Sequence, residues 1–249
     1  MKVSKLLADE KKSQARKYQE LIIGRPGVGA LIKYELITLL CSWVPGVLGL
    51  FLRSKLYPLL LGGAGRGVVF GANVVLRHPH KIFIGNDVII DDNCMLDAKG
   101  ASNKGIFIGD NVFIGRNSIV SCKDGDIWLE DGANIGFNCE IFSSSTVVVG
   151  RDTLVAAYCY LIGGGNYDLE RQDITFAEQD GLDSQGINIE PNTWIGAGVK
   201  ILDGVTVGSG SVIGTGAVVL ESVPANALAV GIPARVVRLR QGAGEPAQR

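Results

Sequence analysis

Two histidines, His78 and His80 in "LRHPHKIFIG", are the side chains of this 249-residue sequence whose ordinary pKa lies nearest neutrality. An imidazole works as a base when a carboxylate orients it, and Asp97 is the acidic residue that a short-period fold would set beside His78. The other reading of His78 is a corner residue bonded to backbone. Two imidazoles separated by a single Pro do not supply the three protein ligands of a catalytic zinc, so no metal is expected. The five Cys are odd in number and lack CxxC spacing, which points to neither a disulfide framework nor a zinc knuckle. A second polar group stands in "GGGNYDLERQD", residues 163–173. There Asp168 could take a proton if burial raised its pKa, Tyr167 could orient a hydroxyl, and Asn166 and Arg171 are candidates for holding a substrate. The "GGAGRG" at 62–67 lacks the Lys-Ser/Thr of a phosphate loop and reads as a joint.

The elements that must place these groups are repeats. From about Val68 the chain runs in sixes: "VVFGAN", "IFIGND", "VIIDDN", "IFIGDN", "VFIGRN", "VVVGRD", "TWIGAG", "VTVGSG", "SVIGTG". A period of two would give an ordinary half-buried strand and one near 3.6 a helix. A period of six fits a short strand, a tight corner and another short strand, three sixes closing a triangular coil. Ile84, Ile90, Ile108, Ile114, Ile135, Val149, Ile195, Val207 and Ile213 are expected to stack inward. The Gly after them is expected to supply a positive φ at the corner. Cys94, Cys139 and Cys159 each fall four residues after an inward aliphatic and read as small core residues. Coils are expected to start near Val68, Ile82, Ile106, Ile127, Val147, Ile187 and Val205. "CMLDAKGASNKG" pushes a short loop from the second coil, and residues 163–186 push a long one from the fifth. An insertion of that length in a compact repeat carries function or is disordered, and its Gly-rich start followed by charges and aromatics favours function.

Before the coils, residues 1–20 are charged and helix-forming, and no secretory signal opens the chain. The uncharged stretch at 36–52, about 17 residues, is short for a bilayer span and is broken by Pro45-Gly46. Lys33, Arg53 and Lys55 flank it. It reads either as a cap on the coil stack or as a helix-break-helix element lying on a membrane surface. Lys plus Arg (24) nearly balance Asp plus Glu (25), which removes the charge argument for nucleic acid. Cysteine usage fits a reducing, cytoplasmic compartment, with a peripheral place at the inner membrane face.

The stretch "PNTWIGAGVKILDGVTVGSGSVIGTGAVVLESVPANALAVGIPARVVR" carries a resemblance. The repeats from about residue 68 to 240 resemble the hexapeptide-repeat O-acyltransferases, of the bacterial polysaccharide-modifying type. Their fold is all-β, a left-handed parallel β-helix. One departure is Ile232, where the family's G-N-P-A motif carries Asn. The chain divides into two regions, a helical apolar segment at 1–65, which lies outside the resemblance, and a β-helix acyltransferase domain at 66–249 with its extruded loop at 163–186. The resemblance implies a homotrimer, acyl-CoA (acetyl-CoA) as co-substrate in the cleft between subunits, and a loop reaching toward the neighbour. Such a loop begins G-G-N-H, its histidine acting as base. Here the matching letters are Gly164-Gly165-Asn166-Tyr167, so Tyr167 stands at the histidine position. A tyrosine is ionised to roughly one part in a thousand at pH 7, against a largely neutral and available histidine. Base assistance is worth about 10²- to 10⁴-fold, so positioning can still carry transfer without it.

For the donor the resemblance points to Trp194, Gly196, Ala197, Gly214, Pro233, Arg235 and Arg238, the small residues admitting a pantetheine arm and the two Arg meeting phosphates. The expected activity is transfer of an acyl group to a saccharide hydroxyl, free or lipid-linked, in the synthesis of cell-surface polysaccharide or glycolipid precursors. The alternative is a catalytically weak or inactive trimeric scaffold of the same fold at the membrane. His78, about four coils below the loop at roughly 4.8 Å each, is expected some 19 Å from it.

Overall fold

The computed structural model describes residues 12–179 and 181–240, so the expected helix over 1–20 lies partly outside it. Its described part is a short helix α1 (Gln14–Tyr18) running into a π turn (Gln19–Ile23). Two helices follow, α2 (Val28–Cys41) and α3 (Gly46–Leu56), with the break at Pro45-Gly46 where the sequence put it. No helix among the described residues is long and apolar enough to cross a membrane.

The rest is a left-handed parallel β-helix. Its strands form three sheets, each coil contributing one strand to each. The first sheet starts at Gly63–Ala64, the second at Val69–Phe70 and the third at Val75–Arg77. The first coil therefore opens five residues ahead of Val68, because Gly63 and Ala64 pair with Phe83 and Ile84. The other coils begin where the repeats predict, with Ile82–Ile84, Ile106–Ile108, Ile127–Leu129, Val147–Val149, Ile187–Ile189 and Thr206–Val207. Ala227–Val230 adds one more parallel strand to the second sheet, and Arg235–Leu239 turns back antiparallel over its edge.

The predicted inward residues are buried, Cys94, Cys139 and Cys159 with them, and so is Cys122. Burial pushes the Cys94 and Cys122 thiols up to about 11 and about 12, which removes them as nucleophiles. The glycine expectation needs correction. Positive φ falls two residues later, on Asp87, Asn117, Asn138 and Asp152. Asn and Asp tolerate the left-handed region through local side-chain hydrogen bonding. The Gly after the inward residue serves close stacking instead: a Cβ on Gly85 would lie 2.7 Å from the Gly109 carbonyl carbon, one coil up.

The helical segment caps the open end of the first coil. Strand carbonyls there have no further coil to meet, and an unpaired buried carbonyl is costly. Arg53 Nε donates to the Phe70 carbonyl (2.8 Å), the Tyr57 hydroxyl to Val74 (3.1 Å) and the Tyr34 hydroxyl to Leu76 (2.9 Å). Arg53, read from sequence as a flanking charge, is 1 % exposed and also donates to the Cys41 and Val44 carbonyls. Gly49 makes this possible, since a Cβ there would strike the Val44 carbonyl. The other side of the hairpin is bare: Val28, Ile32, Leu36 and Leu39 on α2, Trp43 in the break, and Val47, Leu48 and Phe51 on α3 are exposed.

Candidate active site

The edge between the third and first sheets carries every large insertion. There lie the Pro79–Lys81 turn after the first coil, the 98–105 loop after the second, and the 164–186 segment after the fifth. Asp203, at the same edge one coil above, ties both ends of the long segment. Its Oδ2 accepts from Asn166 Nδ2 (2.7 Å) and the Gln185 N–H (2.9 Å), and its Oδ1 from the Gly186 N–H (2.7 Å). Inside the segment, buried Gln179 holds Asp168 from both sides of its backbone, accepting from its N–H (3.0 Å) and donating to its carbonyl (3.2 Å). The Asp168 carboxylate accepts from the Glu170 N–H (3.0 Å). Tyr167 meets Phe176 edge to face at 6.1 Å, and the two rings with Gly165, Asn166 and Leu169 line an open cavity of about 400 Å³. Arg171 is held by Asp173 (2.9 and 3.2 Å), and that guanidinium keeps the Asp173 carboxyl below its ordinary range. Asp203 was missed in the sequence; its only signal was a polar corner residue facing an insertion.

The donor candidates occupy a different edge. Trp194 is exposed on the second sheet, and Gly196, Ala197 and Gly214 lie at the corner leading to the third. Gly196 and Gly214 are accounted for by stacking. A Cβ on Gly196 would lie 2.6 Å from the Thr215 nitrogen, and one on Gly214 would press into Val230. The open small positions at this edge are Gly198 and Gly216, both at positive φ with nothing nearby. Pro233 sits in the turn before the returning strand, where Arg235 and Arg238 are exposed, Arg235 lying 3.5 Å from Glu221. Within one chain, then, the loop residues and the donor residues sit on separate corners of the prism.

His78 and Asp97 do meet, with Nδ1 3.5 Å from Oδ1. His78 Nε2 lies 3.1 Å from the Glu20 carbonyl, its N–H donates to Ile22, and Gly24 packs on its ring. Both ring nitrogens of this buried residue face oxygens, which leaves neither directed at an acceptor hydroxyl. Burial pushes the Asp97 carboxyl up, but His78, Lys99 and Arg77 outweigh it and hold the group below its ordinary range. The pair shares an edge with the long segment, four coils away, roughly 19 Å at the spacing of stacked strands. Its His78 lines a second cavity, apart from Tyr167. Among the described residues no cluster has the composition of a metal site.

The bacterial transferase hexapeptide family (six repeats) matches residues 186–221, and the hexapeptide repeat of succinyl-transferase matches 105–125. A probable acetyltransferase of Mycobacterium tuberculosis is 35 % identical over 135 residues, covering 54 % of this chain and 44 % of its own. The putative lipopolysaccharide biosynthesis O-acetyl transferase WbbJ of Escherichia coli is 26 % identical over 164 residues, 64 % of this chain and 82 % of its own. Among solved structures, an N-acyltransferase from Bacillus cereus in complex with dTDP and 3-hydroxybutyryl-CoA superposes with a TM-score of 0.55 at 19 % identity, covering 81 % of this chain and 92 % of that one. The chain carries hexapeptide repeats and folds as a left-handed parallel β-helix. It spans less than half the length of the first curated relatives it matches, 44 % and 47 %.

Proposed function

We propose that this chain is an O-acyltransferase that moves an acyl group, most simply acetyl, from acyl-CoA to a saccharide hydroxyl, working as a homotrimer against a membrane surface. The observation that carries the reading is the last three coils. An open wall bearing Trp194, Gly198 and Gly216, with Arg235 and Arg238 beyond it, stands one corner away from a long segment clamped in place by Asp203. The wall suits an acyl-CoA: small corners admit an extended chain, and two exposed guanidinium groups match phosphates in geometry and charge. Bound there, the thioester supplies an activated acyl carbon. Because wall and segment occupy different corners, a complete site takes the wall of one copy and the segment of another, which is the reason for a trimer. The relatives named as acetyltransferases, WbbJ among them, support the reaction class and the saccharide acceptor.

In this arrangement Tyr167 orients the acceptor hydroxyl while the Asp168 carboxylate beside it receives the proton, both fixed by Gln179 and Phe176. The bare side of α2 and α3 rests on lipid, with Lys33 and Lys55 at its rim meeting the headgroups. The test is acetyl-CoA turnover with saccharide acceptors, read as released thiol, for the wild type and for Tyr167→Phe combined with Asp168→Asn. The expected loss is about 100-fold or more, with acetyl-CoA affinity retained. Unchanged turnover in the double variant would remove the segment as the acceptor site. A wild type that fails to bind acetyl-CoA at millimolar levels would leave the scaffold reading, which Tyr167 at the family's histidine position favours.

A further inference from the structure

Near the capped end, on the same edge as the 164–186 segment, lies a cavity of about 900 Å³ between the helical segment and the first two coils. Its polar lining is cationic. Arg16 and Arg25 reach it from the helical side, and Lys81 and Lys99 from the coils. Arg25 is exposed and has no acidic partner among the described residues. Lys81 is aimed by the Gly100 carbonyl (2.8 Å) and Asn103 (2.9 Å), neither of which neutralises it. Against four cations stand Glu20, which takes Arg16 at 3.4 Å, and Asp97, buried behind Lys99. His78 is part of the wall, with its Nδ1 turned to Asp97 Oδ1 at 3.5 Å. Val28 and Leu31 complete the lining, and Val28 begins the bare apolar stripe of α2. A cationic hollow that opens onto an apolar stripe matches a phosphate ester joined to a hydrocarbon chain.

We infer that this cavity holds the phosphate end of a lipid-linked saccharide, whose hydrocarbon follows α2 into the membrane while its sugars run up the shared edge to Tyr167 and Asp168. The span from the cavity to the segment is three to four coils, roughly 14–19 Å at the strand spacing, which a short oligosaccharide covers. This rests on the proposed transfer to a saccharide at the membrane, and it adds the acceptor's class and its anchor.

Binding of inorganic pyrophosphate by calorimetry, and flotation with phosphatidylcholine vesicles with and without phosphatidic acid, test the cavity on the full chain. Arg25→Gln is expected to weaken pyrophosphate about tenfold, and to reduce the preference for phosphatidic acid without removing vesicle binding. Leu48→Glu, on the apolar face, is expected to release both vesicle types while leaving pyrophosphate affinity intact. Because Arg25 has no acidic partner among the described residues, an unchanged melting temperature in Arg25→Gln confirms that the variant is folded. Pyrophosphate bound with Arg25-dependence but no preference for phosphatidic acid would assign the cavity to a soluble phosphate and overturn the lipid anchor. No pyrophosphate binding at millimolar levels would overturn the site altogether. These readouts are independent of turnover, so a chain that binds pyrophosphate and anionic vesicles but transfers no acetyl would refute the proposed function and leave the cavity standing.

Discussion

Replacing Asp203 by Ala removes both oxygens that hold the ends of the 164–186 segment while touching no buried apolar group. Three hydrogen bonds at 2.7, 2.9 and 2.7 Å are lost. Bonds to a charged acceptor are worth about 1.5–3 kcal/mol in protected surroundings, and at this half-exposed corner roughly 0.7–1 kcal/mol each. Their sum, about 2–3 kcal/mol, raises the population of the released segment by roughly 30- to 150-fold. Where the clamped form binds the saccharide and the two forms lie near balance in the wild type, kcat/KM for the acceptor falls between about tenfold and 100-fold, chiefly through KM. Acetyl-CoA affinity and the melting temperature stay close to wild type, because the wall and the coil stack do not use Asp203. Hydrogen exchange supplies the control, with faster exchange of the amides of Gln185 and Gly186. Fast exchange there with unchanged acceptor kinetics would refute the assignment of the acceptor site to the segment.

Two further expectations concern stability. Arg53→Met leaves the carbonyls of Phe70, Cys41 and Val44 without their donor and is expected to cost about 3 kcal/mol, lowering the melting temperature by roughly 6–12 °C; a stabilised variant would show that burial of the guanidinium outweighs its bonds. Burial, then the charges of Arg25, His78 and Lys81, pull His80 down from its ordinary 6.5 to about 4. The folded chain therefore binds fewer protons than the unfolded chain between those values, so stability present above pH 6.5 is lost as pH falls toward 4. With solvent screening the loss is about 1–2 kcal/mol, and a denaturation series over this window should flatten in His80→Gln. Below about pH 4 the depressed carboxyl of Asp97 continues the loss in both proteins, since its protonation removes the charge that His78, Lys99 and Arg77 attract.

The six-residue period and the phase of its aliphatic positions are local properties, and they determined the coil count, the inward columns and the buried thiols. They are readable because each coil repeats the same burial problem, and a residue such as Ile135 or Cys139 answers it the same way at every level. The insertions were visible for the same reason, as breaks in the period at 98–105 and 164–186. The role of the glycines was not, because the contact that forbids a Cβ on Gly85 comes from Gly109 in the next coil rather than from its own φ. Arg53, Asp203 and the cationic hollow around Arg25 and Lys99 were decided only by the tertiary structure. Each depends on charged groups meeting backbone or one another across the stack or across the cap, and such pairings leave no periodic trace. The sequence alone marked Tyr167 and Trp194 as residues of interest; the fold set them on different corners of the prism, which is why the proposed chemistry requires a second copy of the chain.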